Sequence, residues 1–357
     1  MSNGKYIDKL TTKRVSWLVD SGPEDDIAIS TRIRLARNLK DIAFPVRAAD
    51  DELKKVILVV ELAVEQSKHI KKPVTINMNS LDDIDAEVLL ERRLISREFC
   101  SHRKNSSLVM SDREDLAVMI NEEDHLRMQA MRPGLQLDEV WQDIDDFETS
   151  LSKEIPFEFD INLGFLTSCP TNLGTGMRAS VMLHLPGLVL AGQTNPLMQG
   201  VYKLGLAVRG ILGEGTDNLG NLFQISNQST LGESEEDIIR RLSAVITQVI
   251  NHEKNARRKL LETRRDMLLD NIGRAYGILK YSYVISTKET LNSLSMLRLG
   301  VDMGVIRSVD IHTVNELFVA VQPAHLQKYA GKEVDSDERD KIRATLIREN
   351  LQKGRKS

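Results

Sequence analysis

The chain has 357 residues, 41% apolar and 28% charged, with a formal net charge of −4 at pH 7. That balance belongs to an ordinary globular protein long enough for two domains, and it offers no basic field for nucleic acid. Two cysteines, Cys100 and Cys169, exclude a disulfide scaffold, and no window approaches the ~18 apolar residues of a membrane span.

Residues 1–26 read as a polar lead-in with one amphipathic helical segment around Trp17. They lack the apolar core of a signal peptide. With no span and free thiols, the expected location is the cytoplasm. From 27 to 255, strand-like runs (DIAIS, SLVM, LAVMIN, NLFQISN) mix with helical ones. Glycine and proline clusters at 133–134, 164–176, 186–192 and 210–220 punctuate them. Strands that follow one another without a crossover helix predict an α+β fold with an antiparallel sheet flanked by helices. After Ser234 the spacing of Ile238, Leu242, Val245 and Val249 is helical, and Ser234 with Asp237 makes an imperfect capping box. Helices are predicted over 289–298, 312–321 and 336–352, so 256–357 is expected to be an all-helical domain, with the boundary near 255.

Five segments of the first domain share a theme. STRIRLARN (30–38) places Arg32 and Arg34 two apart, on one face of a strand. NEEDHLR (121–127) carries Glu122, Glu123, Asp124, His125 and Arg127. CPTNLGTGMRASV (169–181) joins Cys169, a glycine turn and Arg178. RGILGEG (209–215) supplies Arg209 and Glu214, and NLFQISNQSTLG (221–232) follows as strand and turn. Guanidinium forks bind phosphate oxygens bidentately and stay charged at any working pH, so a set of arginines suits a triphosphate. There is neither a P-loop (GxxxxGK[ST]) nor an HRD/DFG pair, which leaves arginine side chains to hold it. Taken singly, each arginine is ordinarily a solvated or ion-paired residue, and the lone cysteine a small core residue.

In this order the five segments resemble the catalytic domain of the phosphagen kinases, the arginine and creatine kinase superfamily. The resemblance implies phosphoryl transfer from ATP to a guanidinium nitrogen. It implies a nucleotide site made of Ser30, Thr31, Arg32, Ile33 and Arg34; Arg127; Arg178, Ala179, Ser180, Val181 and Met182; and Arg209, Gly210, Ile211, Leu212, Gly213 and Glu214. Glu122 and Glu214 are the expected carboxylates on the substrate guanidinium, with Cys169 beside it. Two carboxylates orient such a cation and one accepts its proton; the rest is alignment and charge neutralisation of a loose phosphoryl transition state. Mg²⁺ is expected on the phosphates and water, with no protein ligand. Arg93, in LERRLIS (90–96), stands where relatives carry a histidine that contacts ATP. Gln224 replaces an aspartate common in the small-molecule enzymes.

Two departures narrow the resemblance. Phosphagen kinases carry a helical domain ahead of STRIRLARN that closes over a small substrate, whereas here 29 residues precede Ser30 and a helical domain follows instead. This arrangement looks like the bacterial protein-arginine kinases of the McsB type, which mark proteins for a Clp ATPase and protease in stress responses. ERDKIRA (338–344) matches that group's RDxxRA motif, a regulatory phosphoarginine pocket, at Arg339, Asp340, Arg343 and Ala344. The implied partners are proteins with accessible arginines, a stress-gene repressor among them, an activator protein and a second copy of the chain. Two rivals stay open: a kinase of free arginine, and a non-catalytic phosphoarginine-binding adaptor.

Overall fold

The computed structural model describes residues 3–210 and 219–353. Two short helices, α1 (Asn3–Thr12) and α2 (Ser16–Val19), precede strand β1 (Ala28–Arg37). Helix α3 (Asp50–Ser67) leads to β2 (Val74–Asn77), α4 (Asp83–Glu91), α5 (Arg97–Ser101) and a meander of β3 (Ser107–Met110), β4 (Leu116–Ile120) and β5 (Leu126–Pro133). After α6 (Leu137–Ser152) come a two-stranded ribbon, β6 (Phe159–Asp160) and β7 (Gly164–Phe165), then β8 (Met177–His184), α7 (Pro186–Leu190), α8 (Thr194–Lys203), β9 (Leu206–Gly210) and β10 (Leu222–Asn227). The rest is helical: α9 (Glu235–Thr263), α10 (Arg265–Tyr281), α11 (Thr287–Asp302), α12 (Ile311–Ala320), α13 (Pro323–Ala330) and α14 (Ser336–Lys353). The three C-terminal helices read from the sequence correspond to α11, α12 and α14.

Eight strands form one antiparallel sheet in the order β2-β3-β4-β5-β1-β8-β10-β9. Side chains alternate across it, so each strand contributes to two different environments. One face is apolar: Ile33 and Leu35, Met128 and Ala130, Ala179 and Val181, and Ile225 are buried against Val56 and Val60 of α3, Ile144 and Phe147 of α6, and Ile238, Leu242 and Ile246 of α9. Each of the larger of these side chains contributes roughly 1.5–3 kcal/mol by leaving water. On the other face the same strands present Arg32, Arg34, Arg127, Gln129, Arg178, Ser180, Gln224 and Ser226. Among the described residues, apolar side chains cover that face at its two ends. Leu108, Met110, Ala117 and Met119 pack with α1 and α4. Ile29, Met131, Met182 and Leu222 pack with Leu291, Leu294, Leu297 and Phe318 of α11 and α12.

The lead-in differs from its expectation. The amphipathic helix is α1, while Trp17 sits on the four-residue α2. Both are wedged into the fold rather than appended: Trp17 and Leu18 join the apolar cluster of α11 and α12, Asn315 Nδ2 donates to Leu18 O (3.0 Å), and Arg14 pairs with Glu316 (2.7 Å). Ser234 caps α9 by accepting from Asp237 N. The helix then passes residue 255 without interruption and ends at Arg264, where φ is −139°.

Candidate active site

Strand register builds the floor of the site. Arg34 of β1 lies opposite Arg178 of β8 on one side and Gln129 of β5 on the other. One step along, Arg32 faces Ser180, and Ser180 faces Ser226 of β10. Arg127 pairs with Ala36, just beyond Arg34, and Arg209 of β9 pairs with Gln224. Arg93 reaches the same place from the segment after α4, held in a left-handed backbone conformation (φ 61°) with Arg93 O accepting from Gln129 Nε2 (3.0 Å). Arg32, Arg34, Arg93, Arg178 and Arg209 line one cleft of about 1420 Å³, roofed in part by Leu291, Arg298 and Phe318 of the C-terminal helices. Alternation sends Thr31, Ile33, Ala179 and Val181 the other way. Ile33, Ala179 and Val181 are core, and Thr31 bridges Gly134 O and Gln136 N. Ser30 sits at a bulge in β1, and Met182 lines the cleft.

The floor is positive and under-compensated. Arg34 Nε and Arg178 Nε are buried without a hydrogen-bond partner among the described residues. Arg178 Nη2 donates to Ser226 Oγ (3.2 Å) and Arg32 Nη2 to Gln224 Oε1 (3.4 Å), both neutral acceptors. At position 224 an aspartate would neutralise Arg32; glutamine leaves the charge in place. Burial, reinforced by Arg93, Arg178 and Arg127, pushes the Arg32 pKa down to about 9. Burial, with Arg34 beside it, brings Arg93 to about 10. Arg34 and Arg178 are lowered for the same reasons, burial first and neighbouring arginines next. Two like charges ~6 Å apart at an effective dielectric of ~20 repel by roughly 3 kcal/mol. A polyanion laid on this floor removes that penalty, so the site fits a nucleotide triphosphate.

At the end of the cleft nearest Ala36 stand the acidic residues, and they divide. Glu122 is spoken for: its side chain is 2% exposed, Oε1 accepts from Ser96 Oγ, and Oε2 lies 2.6 Å from Arg127 Nη1. Glu123 is 42% exposed and lies 3.4 Å from Arg127 Nη2. Burial raises its pKa, with Arg127 pulling the other way. Cys169 opens a short 3₁₀ turn, its Sγ 3.0 Å from Thr171 Oγ1. Ser168 ties the cysteine loop to the acidic one through Ser168 Oγ→Glu123 O (2.7 Å) and Ser168 N→Asp124 Oδ1 (2.6 Å). Asn38, at the end of β1, joins both loops by donating to Asp124 Oδ1 (2.7 Å) and Leu166 O (3.1 Å). His125 is structural: Leu39 N donates to Nδ1 (3.1 Å), Nε2 faces Ala43 O (3.0 Å), and burial lowers its pKa. The glycines of CPTNLGTG permit close approach. A Cβ on Gly174 (φ +102°) would stand 2.3 Å from Thr230 O, and one on Gly176 (φ +61°) 2.7 Å from Ala36 O.

Comparison with known proteins places this geometry. Residues 55–256 match the ATP:guanido phosphotransferase C-terminal catalytic domain, and residues 265–357 the protein-arginine kinase McsB C-terminal domain. A protein-arginine kinase of Syntrophomonas wolfei is 46% identical over 347 residues, 95% of this chain and 96% of that one. One of Halothermothrix orenii is 44% identical over 343 residues, covering 96% and 98%. The chain belongs to the protein-arginine kinase family. Its catalytic part is that of an ATP:guanidino phosphotransferase. Among solved structures it is similar to lombricine kinase (TM-score 0.56, 23% identity, 68% of this chain and 70% of that one). It is also similar to the duplicated taurocyamine kinase of Schistosoma mansoni (TM-score 0.57, 24% identity, 66% and 34%). At those identities the likeness speaks for the fold alone.

Ile211, Leu212, Gly213 and Glu214 lie outside the described residues, so the second carboxylate is not placed; Gly210 lines the cleft. Of the RDxxRA motif, Arg343 is 1% exposed and already engaged: Nε donates to Val321 O (3.0 Å) and Nη1 to Ile285 O (2.9 Å), and Asp340 pairs with it. Arg339 is half-buried with Nη1 on Val334 O (2.9 Å), and Ala344 is core. What the sequence reading passed over is Glu123, which differs from Glu122 only by its partners. Ser96, the N-cap of α5 and 26 residues before Glu122, is the signal that separates them.

Proposed function

We propose that this protein transfers the γ-phosphoryl group of ATP to the guanidinium of arginine residues in proteins. One observation carries the reading: a half-buried floor of arginines short of counter-ions, next to a carboxylate with room for an incoming cation. Arg32, Arg34, Arg93, Arg127, Arg178 and Arg209 hold and align the phosphates, and their charge matters most as negative charge shifts toward the leaving β-phosphate oxygen. Glu123 faces the acceptor guanidinium together with Glu214, while Glu122 holds Arg127 in place. As the guanidinium nitrogen bonds to phosphorus and the bond to the β-phosphate oxygen breaks, a carboxylate accepts the N–H proton and ADP leaves. Cys169 stands beside the guanidinium. Mg²⁺ would be carried by the nucleotide's phosphates and water, where it would supply charge neutralisation.

The wider role follows from the family. Phosphoarginine marks proteins for a Clp ATPase and protease in a cytoplasmic stress response, with an activator protein and a stress-gene repressor among the partners. Residues 27–255 act as the catalytic unit and 256–357 as a helical unit for self-association into a homodimer. Arg339, Asp340, Arg343 and Ala344 form its regulatory phosphoarginine site, and opening that site requires Arg343 to exchange its internal acceptors for a phosphate. No helix of the described residues is long and apolar enough to cross a membrane.

The test is incubation with Mg-ATP and an unfolded arginine-bearing protein, followed by mass spectrometry at neutral pH. Acid-labile phosphate on arginine is expected, with little turnover of free arginine. Acid-stable label on serine, threonine or tyrosine contradicts the reading, and turnover confined to free arginine favours the small-molecule kinase.

A further inference from the structure

We propose that the β6–β7 ribbon and the turn after β10 form a docking surface for the residues flanking the acceptor arginine. Its occupant is an extended stretch of polypeptide with apolar side chains beside that arginine. The proposal rests on the reading of the protein as a kinase of arginine in proteins, and names which stretches it takes.

Four large apolar side chains stand in solvent here: Ile161 is 87% exposed, Phe159 54%, Leu231 49% and Leu163 43%. Backbone contacts make them one patch. Gly164, next to Leu163, bridges to Gly174, and Gly174 abuts Thr230 and Leu231, its added Cβ falling 2.9 Å from Leu231 Cα. The patch is continuous with the transfer site, because Phe165 N donates to Gly174 O (2.8 Å) in the loop that carries Cys169, and Ser168 fastens that loop to Glu123. Apolar groups gathered beside a reaction centre mark a surface that is covered during the reaction.

Charge selects the occupant. From 154 to 177 the chain carries Glu154, Glu158 and Asp160 and no lysine or arginine. Exposed Asp41 adjoins them, its N–H donating to Glu158 Oε2 (3.4 Å), and Lys40, whose N–H donates to Pro156 O (3.0 Å), offsets one of these four carboxylates. Acidic groups around an apolar centre complement a cationic arginine with apolar neighbours and repel an acidic segment. In a folded protein such neighbours are mostly inside, so a loop or an unfolded stretch presents them together with an arginine.

Two synthetic peptides test this, each with a single arginine, flanked by leucine and valine in one and by serine in the other. The parent is expected to show a KM about tenfold lower for the apolar-flanked peptide, the scale of one added apolar contact. In Ile161→Ser/Leu163→Ser that preference shrinks to within about twofold, and Ile161→Leu retains it. Both positions are solvent-facing, and light scattering and a thermal melt on the same samples report assembly and folding. Equal KM values for the two peptides in the parent, or an undiminished preference in the double variant, overturn the proposal. A change of oligomeric state with the preference intact also overturns it and makes the patch a contact between copies. Label on arginine in unfolded protein but equal peptide preference leaves the kinase reading standing and removes only the docking surface. No arginine label on any substrate removes both.

Discussion

Two sets of inward-facing arginines share this molecule, one fully buried and one half-buried, and they differ in what surrounds them. Arg37, Arg92, Arg298 and Arg343 are among its largest fully buried side chains, and each spends its donors on internal acceptors. Arg37 bonds Glu148, Ala36 O and Thr175 O. Arg92 takes both oxygens of Glu114, and Arg298 bonds Asn315, Asp25 O and Asp26 O. Arg32, Arg34, Arg93 and Arg178 lie in the cleft with one weak neutral partner or none among the described residues. The first set fastens chain segments together. The second is a charge held ready for a ligand. Residue type does not separate them; the count of missing partners does.

The contrast extends to the carboxylates, where the largest effect is expected. Glu123→Gln should lower kcat by roughly two to four decades, as for a positioned acid–base group. Glu122→Gln should act through Arg127 and raise the KM for ATP as well; identical kinetic signatures in the two variants would erase the division drawn here. Among the fastening arginines, Arg92→Met strands Glu114 in the core and should cost about 3–5 kcal/mol in denaturant unfolding. In the floor, Arg178→Lys should drop kcat by roughly 10²–10³ while unfolding stability changes little, because a point charge cannot replace a planar fork on two oxygens. A variant of either set that behaves like the other breaks the comparison.

A smaller effect lies at the junction of sheet and C-terminal helices. Asp302 sits beside Arg298 and Arg257, at 3.4 and 3.7 Å. Burial pushes its pKa up to about 6 despite those cations. The folded state therefore holds a proton between the unfolded pKa near 4 and about 6, and stability falls as pH rises across that window, by about 3 kcal/mol in all. Asp302→Asn should lack this slope. Equal pH dependence of unfolding in parent and variant would show that the carboxylate does not titrate there.

The sheet and the arginine pair of β1 were legible because strand alternation is local: Arg32 and Arg34 are two apart, with Ile33 between them committed to the core. The fates of adjacent pairs were not. Arg92 and Arg93 look alike in LERRLIS, and Glu122 and Glu123 alike in NEEDHLR. What separates them are Glu114, 22 residues from Arg92, and Ser96, 26 residues from Glu122. Arg343 stands four residues from Arg339, a spacing that by itself suggests two forks open on one helix face. Its burial depends on Val321 O and Ile285 O, which no local pattern announces. The register that gathers β5, β1, β8, β10 and β9 into one floor likewise joins segments far apart in sequence.

The most direct test of the unpaired floor is the thermal melt of Arg34→Met with and without Mg-ATP, beside the parent. Removing a buried, uncompensated charge should leave the apo melting temperature at or above that of the parent, and should abolish most of the rise that nucleotide produces in the parent. An apo melting temperature several degrees lower, with the nucleotide-induced rise intact, would place Arg34 with the fastening arginines and contradict the account.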